Sequence, residues 1–163
     1  MRVDNAGMSD VDNLKVFFHR AWEESGPDRL GFTGATEETI DEITSDAFLK
    51  KRLSNPDVII YVVREGRAVL GFASTRKIDP DAIELSGIIM LESATGKGFG
   101  TQLVERAVGS ARQAGFHRMV VKTEAVNGRA IGFYKKMGFA EVGKTWETVE
   151  GTAVDVMILE MAL

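Results

Sequence analysis

Residues 82–101 read Ala82-Ile83-Glu84-Leu85-Ser86-Gly87-Ile88-Ile89-Met90-Leu91-Glu92-Ser93-Ala94-Thr95-Gly96-Lys97-Gly98-Phe99-Gly100-Thr101, and this stretch decides the fold. Its first half is apolar and rich in isoleucine, which predicts a strand over 82–91. Its second half puts glycine at positions 96, 98 and 100. Leu103, Val104, Ala107, Val108 and Ala111 then recur at helical spacing as far as Gly115, so a helix follows the glycines at once. Residues 118–123 form a short apolar strand beyond it. Strand, glycine turn, helix and strand make a crossover unit, whose two strands should run parallel with a right-handed connection.

Upstream, Val58-Ile59-Ile60-Tyr61-Val62-Val63 predicts a strand, Glu65-Gly66 a hairpin turn, and 68–75 the returning strand. Asp79-Pro80-Asp81 is a further turn, so the three strands form an antiparallel meander. Ahead of them, Val11, Leu14, Phe18, Ala21 and Trp22 mark a helix over 11–24, with Ser9 or Asp10 as cap and Gly26-Pro27 as stop. A loop runs through Gly31 and Gly34. Thr36 then caps one helix that carries Ile40, Ile43, Ala47 and Phe48, extends to Leu53 and ends at Asn55-Pro56. Thr39 stands where Glu or Gln would complete a capping box. Downstream, Asn127 caps a helix with Ala130, Ile131, Tyr134 and Met137 inward and Gly138 at its close. Residues 139–146 and 152–161 read as a terminal antiparallel pair joined by Glu150-Gly151. The first residues are strand or coil. The fold expected is mixed α/β (α+β), a mostly antiparallel sheet with one parallel crossover and about four helices, in a single domain over 1–163.

Composition removes several functions. With 24 acidic against 20 basic residues the net charge is -4, which gives no electrostatic case for nucleic acid or an anionic membrane. Cysteine is absent, which excludes a disulfide framework, a thiolate zinc site and a cysteine nucleophile, and no metal is expected. No run approaches the roughly 18 apolar residues of a membrane span, and the N-terminus has no apolar leader. A cytoplasmic protein is expected, as a monomer or a homodimer exchanging its terminal strands.

Alternate glycines between a strand and a helix let the backbone approach an anion, while the helix start offers unpaired N–H groups and a favourable dipole. Lys97 adds a positive charge. The ligand implied is a phosphate or pyrophosphate; a tight turn that binds nothing is the plain alternative. A Walker A loop is excluded, because Ser or Thr must follow Gly-Lys and residue 98 is Gly. The dinucleotide fingerprint would need its third glycine at Thr101, and too little chain follows for the remaining parallel strands.

The glycine turn, taken with Asn127-Gly128-Arg129-Ala130-Ile131-Gly132-Phe133-Tyr134-Lys135-Lys136-Met137-Gly138-Phe139, resembles the GNAT acetyltransferase superfamily. The likeness covers nearly the whole chain in element order. It departs at Thr95, where the family pattern has Gln or Arg, so weakened or rearranged pyrophosphate binding is expected there rather than its loss. The resemblance implies acetyl-CoA as cosubstrate, with the backbone around Thr95, Gly96, Lys97, Gly98, Phe99, Gly100 and Thr101 at its pyrophosphate. Ile88, Ile89 and Met90 would pair with the pantetheine arm as an added strand does. Asn127 would reach that arm from the other side, cap its own helix, or do both.

The same resemblance puts Tyr134 at the position that protonates the departing CoA sulfur. Glu84 falls where some relatives carry a glutamate base, and other relatives have their carboxylate at the position of Ser86, which makes a water held by Ser86 a variant. The oxyanion would meet a backbone N–H near Ile89 or Met90. Trp22, Glu23 and Glu24 lie where the family's acceptor site is bordered, although a plain solvated helix end is the preferred reading of them. His19 and His117 are each isolated. The activity implied is N-acetylation of a small-molecule amine such as a polyamine or amino acid. Acetylation of protein N-termini and a non-catalytic acyl-CoA-binding module are the competing readings. Lys122 counts against the first of these, since such relatives carry glutamate there.

Overall fold

The computed structural model describes residues 1–26, 35–149 and 151–163. In chain order its elements are β1 (Arg2–Asn5), α1 (Val11–Glu24), α2 (Glu37–Ile43), α3 (Asp46–Ser54), β2 (Val58–Glu65), β3 (Ala68–Lys77), β4 (Ala82–Leu85), β5 (Ile89–Met90), α4 (Phe99–Gln113), β6 (Arg118–Glu124), α5 (Gly128–Lys136), β7 (Ala140–Val149) and β8 (Thr152–Ala162). The expected loop through Gly31 and Gly34, the Pro27 stop and Glu150 of the last turn lie outside the described residues.

The sheet runs β1-β2-β3-β4-β6-β8-β7, and β5 pairs with β3. Among the described residues only β4 and β6 pair in parallel, from Ala82 opposite Arg118 to Leu85 opposite Val121. This is the crossover that the glycine turn and its helix require. Alternation along the strands gives each face its own core. Ile60, Val62, Leu70 and Phe72 meet Leu14, Phe17, Phe18, Ile40 and Leu49 of α1–α3 on one face. Tyr61, Val63, Ile83, Leu85, Met119, Val121 and Leu159 meet Leu103, Val104, Ala107 and Tyr134 of α4 and α5 on the other.

Three expectations need correction. The helix expected over 36–53 is two helices, so the described residues hold five. The Thr44 hydroxyl donates to the Ile40 carbonyl at 2.6 Å, and Ser45 Oγ accepts the Phe48 N–H at 3.2 Å. Side chains that satisfy the backbone in this way end one helix and start the next. Thr39 also completes a capping box without a Glu: its hydroxyl accepts the Thr36 N–H while Thr36 Oγ1 accepts the Thr39 N–H, both at 3.2 Å.

The strand expected over 82–91 is also two. Ser86 Oγ accepts the Ser74 N–H at 2.7 Å, a ladder bond made by a side chain, and the chain is irregular until β5 resumes against β3. Gly71 makes room for β5: a Cβ there would lie 2.5 Å from Met90 Sδ and 2.9 Å from Val63 Cγ2.

The third correction concerns Asp10, which makes no side-chain cap to α1. Its carboxylate accepts the Gly7 N–H at 2.8 Å and two guanidinium N–H groups of Arg64 at 2.8 and 3.2 Å. The pair ties the entry of α1 to β2 and is almost wholly covered. The Arg64 bond, aided by the Gly7 N–H, holds the Asp10 carboxyl below the ordinary aspartate range against the opposing effect of burial. A lowered folded-state pKa stabilises above the unfolded value of about 4 and is lost as pH falls through the folded value. Wild-type protein is therefore expected to lose stability below about pH 4, and Asp10→Asn to flatten that decline while being less stable at pH 7. Urea midpoints from pH 3 to pH 7 check this; parallel curves for the two proteins would contradict it.

Candidate active site

The break at Ser86 positions everything that follows. Up to Leu85 and Val121 the strands β4 and β6 stay paired; beyond them Ile89–Met90 stays with β3, while Lys122, Thr123 and Glu124 stay with β8. The sheet splits like a V. Two hollows fill the split, of about 440 and 430 Å³, and both are walled by Ile88, Asn127, Ala130 and Tyr134.

The smaller hollow carries the glycine turn. Ile88, Met90, Thr95, Gly96, Gly98, Phe99, Gly100 and Thr101 line it together with Arg129 and Phe133. Gly96 and Gly98 have φ of 75° and 83°, a left-handed geometry that favours glycine, and Gly98 stands directly ahead of α4. The first N–H groups of a helix four turns long therefore open onto the hollow. Lys97 belongs to the turn but not to the lining. Thr95 is spent on the turn itself: its hydroxyl donates to the Leu91 carbonyl at 3.2 Å. Arg129 is a cation that sequence reading passed over; the signal was a basic residue two positions after the Asn127 cap, on a helix facing the turn. Asn127 is that cap, its Oδ1 accepting the Ala130 N–H at 3.1 Å, and it lines both hollows.

Tyr134 stands where the hollows meet. Its ring packs edge-on against Phe133 and Phe139, at 5.3 and 5.7 Å between centroids, and the residue is 2% exposed. The hydroxyl oxygen accepts the Ile88 N–H at 3.2 Å, which leaves its own proton free to donate into the split. Burial pushes the phenol above its ordinary pKa, partly offset by the Ile88 N–H, so the group holds its proton at neutral pH.

The larger hollow is apolar at its base, where Phe18, Ile40, Ile43, Phe48, Leu49, Ile60 and Phe72 meet, and polar at its rim with Arg52, Ser86, Lys122, Glu124 and Glu147. Ile89 lines this hollow rather than the smaller one. Ser86 is part of its lining. Glu84 does not: Arg76 holds its carboxylate at 3.2 Å and Lys122 stands 3.8 Å away. Strand alternation gives Glu84 the face of Ser86, but those two cations take up its carboxylate. Trp22, Glu23 and Glu24 also lie outside both linings. Trp22 belongs to the first core, and Glu24 accepts the Glu92 N–H at 2.9 Å, bracing the turn that leads to Thr95. Glu124, which lines the hollow, was missed; its sequence signal was a strand-end carboxylate three residues before Asn127. His19 is hydrogen-bonded to Thr44 and His117 to Asp81, and neither lines a hollow.

A glycine-lined anion cradle, an adjoining apolar hollow and a protonated phenol between them suit acyl transfer from a phosphate-bearing thioester. No helix among the described residues is long and apolar enough to cross a membrane. The family model for the acetyltransferase (GNAT) family matches residues 17–139. An L-methionine sulfoximine/L-methionine sulfone acetyltransferase of Pseudomonas aeruginosa is 26% identical over 149 residues, covering 87% of this chain and 81% of that protein. Among solved structures, a PaiA N-acetyltransferase of Thermoplasma acidophilum in complex with coenzyme A superposes over 100% of both chains, with a TM-score of 0.78 at 19% identity. A spermidine N-acetyltransferase SpeG variant of Vibrio cholerae superposes over 99% of this chain and 95% of that one, with a TM-score of 0.72 at 19% identity. The chain belongs to the acetyltransferase (GNAT) family and is an N-acetyltransferase.

Proposed function

We propose that this protein moves the acetyl group of acetyl-CoA to the primary amine of a small molecule by direct attack, with both reactants held together in the split. The Tyr134 hydroxyl at the junction of the two hollows carries this reading. The residues present fit acetyl-CoA: the left-handed Gly96 and Gly98, the start of α4 and Arg129 suit its pyrophosphate. β5, paired among the described residues with β3 alone, offers its other edge to the pantetheine amides. Acetyl-CoA supplies the activated acyl group.

The amine nitrogen attacks the thioester carbonyl carbon and the carbon–sulfur bond breaks. Tyr134 gives its proton to the departing sulfur, and the proton lost by the nitrogen goes to Glu124. Glu124 is preferred to Glu84 because it lines the larger hollow and Glu84 does not. Glu84 acting through water at Ser86 is the alternative route. The relative named for methionine sulfoximine supports a small acceptor, and so does a hollow of about 440 Å³.

The test is release of CoA thiol with spermidine, free amino acids and short peptides as acceptors. Small amines are expected to turn over and peptides not. Turnover of peptides alone would replace this reading with N-terminal acetylation, and acetyl-CoA binding without any thiol release would leave a binding module. Glu124→Gln should lower activity about a hundredfold near neutral pH and Glu84→Gln far less; the reverse order would return the base to Glu84.

A further inference from the structure

Arg52 is a cation to which the described residues give no anion. It sits on the last turn of α3, half-buried, and lines the larger hollow. One guanidinium N–H donates to Ser74 Oγ at 2.9 Å, and Ser74 Oγ lies 3.0 Å from Ser86 Oγ. Among the described residues no carboxylate pairs with it, and its charged neighbour is another cation, Arg76. Arg76 has Glu84, and Lys122 has Glu147 at 3.2 Å. Burial, and then the Arg76 charge, press against the cationic form of Arg52. A guanidinium carries five N–H donors in a planar fork suited to a carboxylate, and one hydroxyl satisfies one of them. Covering such a group without a counter-ion is unfavourable, so a site that keeps it is shaped for an anion brought from outside.

Ser86, at the end of the Arg52–Ser74–Ser86 chain, is two residues from Ile88, whose N–H marks the Tyr134 hydroxyl. Two residues of chain span at most roughly 7 Å. The anion site and the reacting end of the hollow are thus one small molecule apart. The apolar lining of the same hollow includes Phe18, Ile40, Ile43, Leu49, Ile60 and Phe72.

We infer that the acceptor is an amino acid with an apolar side chain, its carboxylate held by Arg52 and Ser86, its side chain in the Phe18–Phe72 base and its amine beside Tyr134 and Glu124. This rests on the acetyl-transfer reading and names the acceptor class for it. Arg52 is then the residue that separates amino acids from amines of equal size without a carboxylate.

The experiment compares L-leucine, L-leucinamide, 3-methylbutylamine and spermidine as acceptors for wild-type protein, Arg52→Gln and Arg52→Lys. For wild type, L-leucine is expected to have the highest kcat/KM. Arg52→Gln should raise its KM about tenfold to a hundredfold with kcat little changed, and leave L-leucinamide unaffected. Arg52→Lys should recover part of the loss. Acetyl-CoA affinity, unchanged in both variants, reports that they are folded. Turnover of spermidine or the amide in preference to L-leucine, or equal KM values in wild type and Arg52→Gln, would overturn the inference while leaving acetyl transfer intact. If no acceptor releases thiol, the acetyl-transfer reading falls and calorimetry decides the site. L-leucine bound by wild type and not by Arg52→Gln upholds it; binding to both, or to neither, overturns it.

Discussion

Tyr134→Phe is expected to lower the rate of CoA thiol release by about 10²- to 10⁴-fold, the range a positioned acid contributes, with little change in acetyl-CoA affinity. The substitution is almost purely chemical. Phenylalanine keeps the ring between Phe133 and Phe139, so the packing of the second core survives. What disappears is the hydroxyl, together with its bond to the Ile88 N–H. That donor then needs another partner, worth about 1 kcal/mol of stability, which a small fall in melting temperature would register. No other protonated hydroxyl, thiol or phenol stands at the junction among the described residues that wall both hollows, which are Ile88, Asn127, Ala130 and Tyr134. Because burial raises the phenol pKa, the wild-type rate should not fall on the alkaline side until above about pH 10. Single-turnover rates and CoA titrations on the two proteins check this; an unchanged rate would take Tyr134 out of the chemistry.

Phe17→Ala is expected to have the largest effect on stability. Phe17 is 0% exposed, and its ring lies 5.2 Å from Phe18 and 6.3 Å from Phe72. Removing a buried phenyl group forfeits its transfer energy and opens a cavity, about 3–5 kcal/mol together. For a chain of this size that corresponds to a fall of roughly 6–20 °C in Tm. The consequence extends to the site, since Phe18 and Phe72 line the larger hollow and Phe17 is what they rest on. KM for the acceptor should rise while KM for acetyl-CoA holds. Calorimetric melting with two-substrate kinetics tests both parts, and a Tm shift under about 3 °C would contradict the packing account.

The sequence was most legible where one residue type has one physical reason to be there. Val11, Leu14, Phe18 and Trp22 at helical spacing gave α1 its limits, and the alternate glycines located the start of α4. The family resemblance rested on those glycines and on 127–139, and the family model covers both. Legibility failed where a side chain replaces a backbone bond. Thr44 and Ser45 divide α2 from α3, and Ser86 divides β4 from β5, yet each also fits an unbroken element. Site residues divided in the same way. The turn and Tyr134 are local in sequence and line the hollows. Glu84 was placed by the family resemblance and by strand alternation, which give a position and a face but not the neighbours Arg76 and Lys122 that engage it. Arg52 and Glu124 come from elements far apart in the chain, and only the fold makes them parts of one wall.

The V-shaped opening of the sheet also divides labour between the parts of the chain. Beyond the four residues they share, the smaller hollow is built by Met90, Ala94, the glycine turn and the faces of α4 and α5, and the larger by α1–α3, β2, β3, the 86–89 segment and the strands leading to the C-terminus. Thr39, Phe48 and Val154 line the larger hollow and not the one that carries the glycine turn. If the proposed acetyl transfer holds, a lineage built on this chain could change what it modifies while keeping its source of acyl groups, by re-cutting one side of a single gap.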